Sequence, residues 1–98
     1  MPQINRSPAA LRDLDEIWDY IAPNNPVAAE QLLRDIEAKC QMLAGNPYLG
    51  EAWPELGQEI RFFTHRRTWV IIYRPAEDGI DLVRVVRGTR DIPSLFDG

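Results

Sequence analysis

Apolar residues change their spacing partway along the chain. Between Pro8 and Ala22 they recur at three and four residues, as Leu11, Leu14, Ile17, Trp18 and Ile21, the spacing of one helical face. Ser7 precedes this stripe as a cap and Pro8 stands at the first helical position, where its missing N–H costs nothing. Asp13, Asp15, Glu16 and Asp19 then fall on the solvated face. A second stripe, Ala29, Leu32, Leu33, Ile36, Cys40 and Leu43, predicts a helix from Pro26 to about Ala44, capped by Asn25 and stopped by Gly45-Asn46-Pro47. The short connector Pro23–Pro26 makes the two an antiparallel helical hairpin.

After Glu59 the pattern is that of strands. Ile60–Phe63, Trp69–Tyr73 and Ile80–Val86 are rich in β-branched and aromatic residues, which suit a pleated surface. Thr64–Thr68 and Pro75–Gly79 separate them as turns, the second closed by Asp78-Gly79. The expectation is a meander of antiparallel strands. Gln3–Arg6 reads as an edge strand ahead of the helices. Asn46–Gly57 reads as an irregular loop pinned to the core by Tyr48, Leu49, Trp53 and Leu56, and Ile92–Phe96 as a tail with one helical turn. The fold class is therefore α+β: an N-terminal edge strand and a helical hairpin packed on one face of a three- to four-stranded antiparallel sheet. Residues 1–98 are read as one domain.

The middle strand complicates this picture. Trp69, Ile71 and Tyr73 alternate with Val70 and Ile72, so both of its faces are apolar. Two helices cover one face; a partner chain, a second copy or the loop Asn46–Gly57 is left to cover the other. On this reading the chain purified alone aggregates or dimerises through the uncovered face.

Composition excludes several classes. Of 98 residues, 45% are hydrophobic and 27% charged, as in folded soluble proteins rather than disordered ones. No apolar run approaches the length of a membrane span and Met1–Asn5 is not a signal peptide, so the expected location is cytoplasmic, with no membrane partner. The single cysteine, Cys40, lies on a helix stripe and forms no internal disulfide. The net charge of −4 is unevenly placed: residues 1–60 hold four basic and ten acidic residues, residues 61–98 seven arginines against five acids. An acidic chain with a local arginine set suits an acidic partner better than a nucleic-acid backbone.

No phosphate-cradling glycine loop, metal-ligand cluster or nucleophile elbow is present, so no catalytic residue, metal or cofactor is expected. His65, the only histidine, falls in a predicted hairpin turn and reads as an exposed turn residue. What remains is the arginine set. Arg61 and Arg84 lie within strands, Arg87 and Arg90 at the end of the last; they either bridge to the acidic helices or form an anion or acidic-partner site. Sequence does not set the strand register, so which arginines converge is open at this point.

The segments SPAALRDLDEIWDYIA, EIRFF, WVIIYRP and IDLVRVVRGTRD together resemble the RelE/ParE superfamily of toxins from type II toxin–antitoxin pairs, most closely its ParE branch, over residues 4 to 91. The resemblance implies an antitoxin partner of ParD type whose C-terminal segment wraps the toxin, and DNA gyrase as the target of a non-enzymatic inhibitor. It also implies that any operator DNA is reached only through the antitoxin. The alternative branch, RelE-like ribosome-dependent mRNA endonucleases, uses basic side chains and a late tyrosine. By strand order those positions fall here on Arg61, Phe63, Val70 and Arg90, and near Phe96. Phe63 and Val70 cannot stabilise a phosphorane, and Phe96 has no hydroxyl to transfer a proton. The expected antitoxin contacts are Arg61, Arg84, Arg87 and Arg90 as charged anchors. Trp69, Ile71 and Tyr73 are added as apolar cover, depending on which strand face the helices take.

Overall fold

The structure, a computed structural model, describes residues 2–88 and 92–96. Strand β1 (Gln3–Arg6) leads into helix α1 (Pro8–Ile21), which turns back as α2 (Pro26–Gly45); strands β2 (Glu51–Ala52), β3 (Arg61–His65), β4 (Trp69–Ala76) and β5 (Gly79–Arg87) follow. A 3₁₀ turn at Pro54–Leu56 sits between β2 and β3, and another at Ile92–Phe96 follows β5. The helices pack together on one face of the sheet, burying Ile17, Leu32, Ile36, Cys40 and Leu43 against Trp69, Ile71, Tyr73, Ile80, Leu82 and Val85.

Both helix starts are built as the caps predict. Ser7 Oγ accepts the Ala10 N–H at 2.9 Å and Asn25 Oδ1 accepts that of Ala28 at 3.1 Å, each followed by Pro. Ser7 does more than cap. Its hydroxyl donates to Val83 O at 2.8 Å and its own N–H to Leu82 O at 3.0 Å, so the helix start is fastened to the edge of β5.

The sheet has five strands in the order β1-β5-β4-β3-β2, against the expected three or four, and it is mixed. β1 runs parallel to β5, with Ile4 opposite Ile80 and Arg6 opposite Leu82; β2–β5 are antiparallel. The fifth strand comes from the segment read as an irregular loop. Glu51 and Ala52 pair with Phe62 and Arg61, and Trp53 N–H continues the ladder to Ile60 O at 2.8 Å. Two residues are too few for alternation to be visible in sequence.

Two turn readings shift. β4 runs through Pro75 to Ala76; β3 pairs with β4 only as far as Tyr73, and a residue lacking an N–H is tolerated where a strand has become an edge. Gly79 allows the close approach of β1, since a Cβ there would strike the Gln3 carbonyl oxygen, and its φ of 154° is one that side chains rarely adopt. The β3–β4 turn is tighter than expected because His65 belongs to β3, opposite Trp69. Arg66 and Arg67 form the tip, both with positive φ (54° and 59°).

The second sheet face is covered from within the chain. Val70, Ile72 and Val86 are buried with Leu56, Ile60 and Ile92, flanked by Trp53, Phe62, Val83 and Phe96. Of the three covers left open by the sequence, the loop after α2 supplies this one, joined by the tail after β5. Trp53 stacks edge-on against Phe62 with ring centroids 5.0 Å apart. The loop is held by Tyr73, whose hydroxyl donates to Pro47 O at 2.7 Å and accepts the Gly50 N–H at 2.8 Å. The reason for expecting dimerisation through an open face is thereby removed.

Candidate partner-binding site

Helix α1 is rotated about its axis relative to the sequence reading, and this sets the site. Its buried residues are Ala10, Asp13 and Ile17, while Leu11 and Trp18, placed on the core stripe by spacing, are 49% and 39% exposed. Asp13, assigned to the solvated face, is 6% exposed. The cause is Arg84. Its Nε donates to Asp13 Oδ2 at 2.7 Å and its Nη2 to Oδ1 at 2.9 Å, the two-pronged geometry in which a guanidinium meets a carboxylate. Asp13 Oδ2 also accepts the Val85 N–H at 2.9 Å. β1 pairs with β5 only up to Leu82, so the carboxylate takes over a backbone donor that the edge would otherwise leave open. The Asp13 hydrogen bonds, foremost, hold the Arg84 guanidinium even more firmly protonated than usual, against the opposing effect of burial.

The expected contact residues therefore have different settings. Arg84 is tied to Asp13. Arg61 donates to Gly50 O at 2.6 Å and to Tyr48 O at 3.3 Å and lies over the Tyr48 ring, 4.9 Å from its centroid; it clasps the loop after α2. Trp69, Ile71 and Tyr73 lie on the face taken by the helices and are 8%, 0% and 0% exposed. Arg90 lies outside the described residues. Arg87 is exposed, with its guanidinium carbon 5.0 Å from the centroid of Tyr20 and 5.5 Å from that of Trp69. Arg61 pairs with Tyr73 and Arg87 with Trp69, so the two arginines stand about 13 Å apart along the strand direction. They do not converge.

What does converge is a different group. Ile17, Tyr20, Trp69, Val85, Val86 and Arg87 line a groove of ≈ 220 Å³ between α1 and the adjoining ends of β4 and β5, with Asp13 and Glu16 along its α1 side. Tyr20 was not singled out from sequence, and Glu16 was read only as part of the solvated helix face. The available signal was the Ala10–Asp13–Ile17 spacing, which puts an acid on the same helical face as two apolar residues, together with an arginine inside the apolar run of β5.

His65 is 7% exposed rather than on an open turn. Its Nε2 is buried without a hydrogen-bond partner, 3.7 Å from Asp35 Oδ2. Burial, foremost, and the Arg66 cation lower its pKa, with Lys39 adding to this and Asp35 opposing it. Cys40 is a buried core thiol as its stripe position implies, its pKa pushed up to about 12 by burial first and Glu37 second. Burial likewise raises that of the Tyr73 hydroxyl. Among the described residues no cluster of His, Cys, Asp and Glu is arranged to hold a metal, and no helix is long and apolar enough to cross a membrane.

Comparison with known proteins agrees with this architecture. A chromosomal ParDE TA system from P. aeruginosa superposes with a TM-score of 0.73 over 89% of this chain and 96% of that one, at 24% identity, which bears on the fold. "Toxin ParE1" of Mycobacterium tuberculosis, in strains CDC 1551 / Oshkosh and ATCC 25618 / H37Rv, is 35% identical over 88 residues, 88% of this chain and 89% of the relative. Residues 4–92 match the family described as ParE toxin of type II toxin-antitoxin system, parDE. The chain belongs to the ParE toxin family of type II toxin–antitoxin systems.

Proposed function

We infer that this toxin inhibits DNA gyrase by binding rather than by catalysis, and that a ParD-like antitoxin holds it silent. The observation that carries the reading is how the histidine, the buried tyrosine and two of the strand arginines are occupied. The Tyr73 hydroxyl is committed to Pro47 and Gly50, Arg61 to the loop carbonyls and Arg84 to Asp13. His65 lies under α2 with its Nε2 out of reach of solvent. An acid–base step needs a group within hydrogen-bond reach of the transferred proton, and these groups serve the fold instead. A toxin that works by occupying a surface has no such need.

The test is a supercoiling assay with purified gyrase and antitoxin-free protein, run beside a ribosome-programmed mRNA cleavage assay. Lost supercoiling or trapped cleaved DNA, with intact message, is the expected result. Cut message with unaffected gyrase would move the protein to the RelE-like ribonucleases, and Arg61 would then become the first residue to examine.

A further inference from the structure

The tip of the β3–β4 hairpin is built against the local preference of its residues. Thr68 N–H donates to His65 O at 3.2 Å, closing a four-residue turn whose two central residues, Arg66 and Arg67, hold φ values of 54° and 59°. Two successive positive φ values are what a type I′ turn requires, and Asn-Gly meets that requirement at least steric cost. An L residue in this region brings its Cβ close to the carbonyl oxygen, and Arg lacks the short polar group with which Asn offsets the crowding by a local hydrogen bond.

The surrounding structure maintains this strain from several sides. His65 and Trp69, which flank the turn, pair across the ladder and are both buried. Thr68 Oγ donates to Arg66 O at 3.2 Å, and Gly88 N–H donates to Thr68 O at 2.7 Å. Arg66 Nη2 reaches Asp35 Oδ2 on α2 at 3.0 Å, while Gln31 Nε2 donates to Asp35 Oδ1 at 2.9 Å. Arg67 is exposed and pairs with no acid among the described residues. The fold gains nothing from a guanidinium at this position that Asn would not give it. Backbone strain kept at an exposed cation points to a use outside the chain.

We propose that this tip is the surface with which the toxin grips its target enzyme, Arg67 pairing with a carboxylate of the enzyme itself rather than with the DNA that the enzyme holds. The proposal rests on the gyrase reading above and adds the place and chemistry of the contact. A nucleic-acid backbone is held by neutralising many phosphates. The tip offers one cation without a partner among the described residues, beside a second that Asp35 already engages, on a chain of net charge −4. One guanidinium suits one carboxylate, which its N–H fork meets with two parallel bonds. The buried flanks and the turn hydrogen bonds fix the backbone beforehand, so less freedom is lost on association.

The experiment compares the wild type with Arg67→Asn, Arg67→Lys and Arg67→Glu in three measurements: thermal unfolding, affinity for purified gyrase with and without bound duplex DNA, and growth arrest on expression without an antitoxin. Arg67→Asn is expected to raise Tm by about 4 °C, the shift that relief of one strained residue gives a domain of this size. The same variant is expected to bind DNA-free gyrase about tenfold more weakly or worse. A stabilised variant that fails to bind has not failed by unfolding. Arg67→Lys keeps the charge without the fork and is expected to stay within about threefold of the wild type, with Arg67→Glu weaker than Arg67→Asn. Unchanged affinity in Arg67→Asn, a lowered Tm, or a loss of affinity seen only when DNA is bound would each overturn the proposal. A wild type that leaves gyrase unbound and active removes the gyrase reading instead. The tip is then judged by growth arrest, which Arg67→Asn abolishes if the tip grips the target and preserves if it does not.

Discussion

Asp13 and Arg84 meet through two hydrogen bonds of 2.7 and 2.9 Å across 71 positions of sequence, and the same carboxylate accepts the Val85 N–H. One buried acid thus joins α1 to β5, neutralises a strand arginine and takes up a backbone donor at the strand's open edge. Asp13→Ala leaves a partly buried guanidinium and an unpaired edge N–H. The expected loss is about 3 kcal/mol of unfolding free energy, read as a lower urea midpoint at unchanged slope. A change within about 0.5 kcal/mol, the range of ordinary surface substitutions, would mean that the pair contributes nothing net. The same contact makes Arg84→Glu a poor probe of partner binding, since it opposes two carboxylates at the base of α1.

His65 gives the stability a defined pH dependence. Its folded pKa lies below the ordinary 6.5, so between those two values the unfolded chain binds the extra proton and stability rises with pH. The contribution is complete above pH 6.5 and declines as pH falls through that window, by at most about 1.4 kcal/mol for each pH unit. Urea midpoints measured from pH 7.5 to 5 in the wild type and in His65→Phe should diverge towards acid, with the variant the flatter. Parallel curves would show that the buried imidazole is not the titrating group.

The internal cover of the second sheet face sets the behaviour of the isolated chain. Leu56, Ile60 and Ile92, with Trp53 and Phe96 at the margins, lie over Val70, Ile72 and Val86. The wild type is expected to sediment as a monomer. Trp53→Ser removes the ring that meets Phe62 and should cost about 2 kcal/mol, with a rise in binding of a hydrophobic dye. A wild-type dimer that Trp53→Ser leaves intact would place self-association elsewhere on the surface.

Apart from the two-residue β2, the elements of this fold are legible in the sequence because they follow from spacing that neighbours impose on one another. Pro8 and Pro26 with their caps, and the apolar runs on either side of Arg66-Arg67, mark the helices and the β3–β4 hairpin locally. The site is not legible in the same way. Leu11 and Trp18 have the spacing of core residues, yet Asp13 takes the inward place because an arginine far along the chain neutralises it; periodicity counts polarity and not partners. The arginines of the last strands look equivalent in sequence, but Arg61 clasps a loop, Arg84 pairs with Asp13 and Arg87 rests on two rings. Only the register separates them. His65 was misplaced for a simpler reason: positive φ at Arg66 and Arg67 needs no glycine or asparagine when the flanking strands hold the turn, so the strand ran two residues further than its turn signals suggested.

The parallel pairing of β1 with β5 has a consequence for synthesis. Gln3 lies opposite Gly79 and Arg6 opposite Leu82, and the Ser7 hydroxyl waits for Val83. The first strand and the helix it feeds reach their places only after the last strand has left the ribosome. Contacts of such long separation form late and slowly, so a partly translated chain has no finished sheet to hold its helices. The N-terminal strand and the start of α1 are thus held open until β5 has been made, and the oldest part of the chain is among the last to be fixed.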